Sequence, residues 1–126
     1  MKRVQCDLFG KNESISFNIL RLMELESLLK KPIVTAIANG FGLVELTSAF
    51  SVGMQHCKRR TPQWYAIEMQ KLLEEGTYTY DEFVAPVLKA IIASGLLGKE
   101  AYYEAFPEER IETIKESKKA KNSKGA

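Results

Sequence analysis

Residues 79–97, TYDEFVAPVLKAIIASGLL, constrain the fold more than any other stretch of the chain. Tyr80, Phe83, Val84, Val87, Leu88, Ile91 and Ile92 recur at helical spacing. A stripe this broad cannot stay in water, so other elements must cover it. Thr79 and Glu82 have the spacing of a capping box at its start. Pro86 falls off the stripe, which predicts a kinked helix with the proline facing outward. Gly95 supplies a left-handed stop, and Leu96 or Leu97 can fold back over the last turn.

The remaining segments supply partners for that helix. Val4, Cys6 and Leu8 alternate with polar residues, as do Ile15, Phe17 and Ile19, with GKNE between them. This period of two reads as a β-hairpin. Two strands alone are marginal, so they must lie on helices or pair with another chain. NILRLMELESLLKK reads as a helix whose face is Leu22, Leu25 and Leu29, widened by Leu20, Met23 and Leu28. Pro32 then ends that helix or opens a short one that Asn39-Gly40 closes. Leu43, Leu46, Ala49, Phe50 and Met54 make the next stripe, and Gly53 within it either weakens the case for a helix or marks a close packing contact. Thr61 and Pro62 start a further helix with Tyr65, Met69, Leu72 and Leu73 inward, stopped by Gly76. Pro107 opens a last helix with a thin face of Ile111 and Ile114. The expected fold is mainly α: a compact bundle of about five to six helices with a short N-terminal β-hairpin. Residues 1–114 form one domain in this reading, and 115–126 form a lysine-rich, disordered tail.

Composition narrows the function classes. The 126 residues are 45% hydrophobic and 27% charged, enough for one packed core. A net charge of +2 does not by itself imply nucleic acid. No apolar run is long enough for a bilayer, and the N-terminus lacks a signal-peptide core, which places the expected protein in the cytoplasm. Cys6 and Cys57 are then expected to be reduced. Two cysteines and one histidine cannot make a standard structural zinc site without carboxylate help, and no cofactor is expected.

Chemistry-bearing groups are sparse. His56 and Cys57 are neighbours, but adjacent helical residues point about 100° apart and do not form a nucleophile pair. Lys58, Arg59 and Arg60, followed by Trp64 and Tyr65, could contact phosphates and stack a base. A helix-turn-helix drawn through Asn39-Gly40 has no Arg or Lys on its second helix before Lys58, which makes a poor reader of bases. Paired glutamates (Glu24 and Glu26, Glu74 and Glu75, Glu108 and Glu109) read as solvated charge rather than acid–base pairs. Gly40 and Gly42 lack the rest of a phosphate-binding loop.

Taken in order, the segments carry a resemblance. A short β segment leads into FNILRLMELESLLKK, then two helices and a basic linker. LLEEGTYTYDEFVAPVLKAIIASGLLGKEA follows, a Gly-ended helix, a Thr-capped helix and Ser-Gly-Leu-Leu-Gly-Lys. This resembles the tail assembly chaperones of long-tailed bacteriophages and related prophage elements, over roughly residues 3 to 105. The resemblance implies a non-enzymatic, self-associating helical protein that coats the aggregation-prone tape-measure protein and helps bring tail-tube subunits around it. It implies action in the bacterial or host cytoplasm and absence from the mature virion. Such proteins are often made in two lengths by frameshifting, which the Lys118-Lys119 region would suit. Apolar grooves between helices and repetition along one client suit that role. Leu96, Leu97, Tyr102, Tyr103 and Phe106 are the interface candidates, to a neighbouring copy or to the client, beside a core reading that stands ahead for Leu96 and Leu97 and level for the tyrosines. The competing reading is a small nucleic-acid-binding regulator that uses Lys58, Arg59, Arg60 and Trp64.

Overall fold

A computed structural model describes residues 1–109. Two short strands, β1 (Val4–Gln5) and β2 (Ser14–Ile15), pair antiparallel with Val4 opposite Ile15. Six helices follow: α1 (Ile19–Leu29), α2 (Ile33–Ala38), α3 (Leu43–Gly53), α4 (Pro62–Glu75), α5 (Tyr80–Ala93) and α6 (Lys99–Ala105). Residues 107–109 are again helical. The protein is thus mainly helical with an N-terminal hairpin, as its periodicity predicts. The expected boundary after residue 114, the face of Ile111 and Ile114, and the lysine-rich tail lie outside the described residues.

Local chemistry sets the helix ends. The Asn18 side chain accepts from the Arg21 N–H at 2.9 Å and starts α1. The Glu26 carboxylate accepts from the Ile33 N–H at 2.8 Å, satisfying a first-turn donor of α2. Thr61 Oγ1 accepts from the Trp64 N–H at 3.1 Å, with Pro62 at the first helical position of α4. Gly76 stops α4 at φ +79°, a left-handed geometry that favours glycine. The expected capping box of α5 does not form: the Thr79 side chain makes no cap bond, and its carbonyl accepts from the Glu82 N–H instead. α5 nevertheless runs unbroken past Pro86, which is half-exposed.

α3 is the central helix, packed against α1, α4 and α5. Leu46, Ala49, Phe50 and Met54 on it are fully buried. The hairpin lies within the chain, against α5 and the end of α3. Gly53 makes that approach possible: a Cβ there would sit 2.6 Å from Ile15 Cγ1 and 2.8 Å from Phe17 Cζ. Phe83, Val87 and Ile91 of α5 seal the same core, while Tyr80 stays partly exposed and donates its hydroxyl to the Phe41 carbonyl.

Several residues assigned inward by periodicity lie on the surface. Leu20 is 75% exposed, and Met23 and Leu28 are also exposed, so they do not widen the α1 core face. Leu22 and Leu25 alone bury fully there, because α3 covers a narrow strip of α1. Ile19 belongs to no strand; the Asn18 cap has already turned the chain into α1. Leu43 and Leu73 are exposed as well.

The segment after α5 closes the molecule. Gly95 and Gly98, at φ +87° and +92°, reverse the chain into α6, a helix the sequence pattern did not announce. Phe106 enters the core. Lys2 Nζ sits 4.0 Å from the Phe106 ring centroid and 2.6 Å from Glu109 Oε2, tying the N-terminus to this end.

Candidate functional site

The basic cluster is divided by the fold. Arg60 makes a two-pronged bond to Glu13, at 2.9 and 2.6 Å, with side-chain exposures of only 10% and 14%. Its guanidinium also lies 4.3 Å from the Trp64 ring, and Trp64 stands edge-on to Tyr65. The Glu13 carboxylate is the main reason the Arg60 pKa rises further. Arg60 and Trp64 are therefore engaged inside the protein, fastening the hairpin loop to α4. Lys58 and Arg59 remain exposed.

The expected apolar interface is divided too. Phe106 is buried in this chain's own core, which removes it from an exposed surface. Tyr102 packs on it at 5.0 Å and donates its hydroxyl to Glu109. Tyr103 meets Tyr102 edge-on and is half-buried. Leu96 is exposed and Leu97 half-buried. That leaves Leu96 as the most open of the five.

His56 acquires a partner that no local spacing revealed. Its Nε2 lies 2.8 Å from Ser14 Oγ, and its Nδ1 lies 2.8 Å from Arg21 Nη1. A guanidinium can only donate, so Nδ1 accepts and Nε2 carries the proton. Nε2 then donates to Ser14 and cannot take a proton from it, the reverse of what a serine nucleophile requires. Burial, then the charges of Arg21 and Arg3, hold the His56 pKa below its usual value. The Cys57 thiol approaches the Ser14 backbone at 3.4 Å and is free, as is Cys6, whose burial pushes its pKa up to about 11. The cluster works as a buckle joining hairpin, α1 and the end of α3. Among the described residues no group of His, Cys, Asp and Glu is placed to hold a metal ion. None of the helices there is long and apolar enough to cross a membrane.

The open feature is a groove along α3. Three depressions of about 360, 290 and 100 Å³ line up between α1, α3 and α4. Pro62 borders the first two, and Thr47 and Ala66 border the last two. Thr47, Ser48 and Ser51 of α3 form its floor, Thr47 and Ser48 being buried, with Val44 exposed at the rim and Gln55 just past the end of the helix. From Val44 to Ser51 that face extends about 10 Å. Thr47 Oγ1 donates to the Leu43 carbonyl and Ser51 Oγ to the Arg60 carbonyl, so these hydroxyls need nothing from a ligand. Leu28 of α1 and Ala66, Met69 and Leu73 of α4 supply apolar walls. Val44 is 71% exposed and Leu43 64%, which leaves two aliphatic side chains open side by side at this rim.

Sequence reasoning passed over this groove. Its only signal was the surplus of apolar and small residues on α3 beyond the single stripe the core needs.

No family model matches the chain, and no curated protein and no solved structure matches it either.

Proposed function

We propose that this protein is a non-catalytic helix-binding chaperone of the tail assembly type, and that it seats an apolar stripe of the tape-measure protein in the α3 groove. The carrying observation is the groove itself: it runs along α3 and α4, its floor is of small side chains, with the Thr47 and Ser51 hydroxyls already satisfied, and exposed Leu43, Val44 and Leu73 rim it. An amphipathic helix fits such a surface, and many copies along one long client would bind by avidity. The protein would act in the cytoplasm before the tail tube closes and leave before the virion is complete. Tail-tube subunits and neighbouring copies would be recruited elsewhere, with Leu96, Leu97 and Tyr103 as the remaining apolar contacts near α6. The locked tautomer of His56 supports the non-catalytic part of this reading.

The test is co-expression with the long helical protein encoded beside this chain, followed by pull-down at low and high salt. Co-purification that persists at high salt and is lost in Val44→Asp is the expected result, since apolar burial is not screened. Nucleic acid recovered at low salt and lost at high salt, with no protein partner, would instead favour a regulator that uses Lys58 and Arg59.

A further inference from the structure

We propose that the two ends of the α3 groove read opposite charges on the helix they hold, with Arg59 receiving a carboxylate and Glu74 a lysine or arginine. This rests on the groove being a helix site. An apolar stripe repeats every three to four residues, so apolar contact alone lets a long helix slide from one register to the next. Polar positions flanking an apolar seam are what fix register between helices. The groove has such positions. Arg59 lines its end at the start of α4, with Lys58 exposed beside it. Neither cation makes an ion pair among the described residues. Glu24 shares that end, but it accepts from Gln55 at 3.3 Å, leaving one net positive charge among the three.

The other end has the opposite sign. Gln70 lines it and donates to Glu74 at 3.0 Å, which holds the carboxylate near the rim. Glu75 is adjacent and exposed. The cations and carboxylates around them are already matched: Lys71 with Glu68, and Lys31 with Glu45. From Pro62 to Glu74 α4 extends about 18 Å. Two residues eleven apart on a bound helix lie on one face about 16 Å apart, close to the length of α4 from Pro62, which lines the same end as Arg59, to Glu74. The occupant is therefore an interior segment of an amphipathic helix of a partner protein. Three or so apolar residues are flanked by an acid and a base eleven positions apart.

The experiment uses the full chain and three side-chain-stapled helical peptides of about 18 residues with one common Leu/Ile face. They differ only at two positions eleven apart, carrying Glu and Lys, Glu and Glu, or Lys and Lys. Binding is read by fluorescence anisotropy. The Glu/Lys peptide is expected to bind about fivefold tighter than the others at low salt. Arg59→Glu should shift the preference to Lys/Lys, and Glu74→Lys should shift it to Glu/Glu. The double reversal should restore Glu/Lys, and molar salt should erase the ranking while leaving binding in place. Because a flipped helix satisfies the same two contacts, these comparisons do not depend on its direction. Equal binding of all three peptides, or a ranking that neither variant moves, overturns the charge reading and leaves the helix site standing. No binding by any peptide overturns both. If Val44→Asp instead converts an oligomer into a monomer, the groove holds a second copy and the inference also falls.

Discussion

The two long sides of α3 obey opposite rules. Toward the hairpin there is no room for one methyl group: Gly53 lies directly under Ile15 and Phe17. Toward the gap between α1 and α4 the same helix carries open Val44, half-buried Ser51, and Thr47 and Ser48, which are small and buried at the bottom of the depressions. Both sides lack large side chains where they meet a neighbour. On the first side the neighbour is this chain's own β2, held in place by the Ser14–His56–Arg21 buckle and the Glu13–Arg60 pair. The second side is covered only in part: Thr47 and Ser48 are buried against the neighbouring elements, while Val44 stays open. Smallness on a helix face therefore means close approach in either case, and only the tertiary structure reveals whether the approaching element is internal.

The contrast can be broken most forcefully on the closed side. Phe50 is fully buried, 4.9 Å from the Phe9 ring and 5.7 Å from Tyr65. Phe50→Ala should cost about 3–5 kcal/mol in urea denaturation. Gly53→Ala should cost about 1–3 kcal/mol by driving Ile15 and Phe17 off their positions. A neutral Gly53→Ala would mean the hairpin does not press on α3 as described.

The buckle should respond to pH. Burial and the Arg21 and Arg3 charges lower the folded-state pKa of His56, so the unfolded chain binds the proton more readily. The contribution is complete above the ordinary histidine pKa and is lost as pH falls toward the folded value. Between about pH 7.5 and 5.5 stability should drop in the native protein and stay flatter in His56→Gln. Equal slopes for the two proteins would remove His56 from the account.

The smallest effect on stability should come from the open side. Val44→Asp adds an acid to the first turn of α3, where the helix dipole favours it, and should change stability by no more than about 0.5 kcal/mol. It should still abolish capture of an apolar helix. A large loss of stability would mean that Val44 belongs to the core.

The pattern of legibility follows the same division. The stripes of α3, α4 and α5 announced Leu46, Phe50, Tyr65, Phe83 and Val87, because core residues must repeat with the helix. Gly53 was legible as a close contact because glycine inside a strong stripe has few other uses. Leu20, Leu43 and Leu73 misled, because periodicity records which residues are apolar and not which are covered. The groove was hidden for that reason: its rim residues looked like additional core. The His56–Ser14 and Arg60–Glu13 contacts span 42 and 47 residues, and no local spacing encodes them. α6 was obscured by the aromatic run that fills it, since Tyr102 and Tyr103 fit core and surface equally well.

The most direct measurement is amide chemical-shift mapping of the labelled full chain titrated with the Glu/Lys helical peptide. The account predicts changes concentrated at Val44, Thr47, Ser48, Ser51, Ala66 and Leu73, with Ile15, Phe17 and Gly53 unmoved. Changes centred instead on Leu96 and Tyr103, or spread evenly over the molecule, would contradict the assignment of the α3 groove as the binding surface.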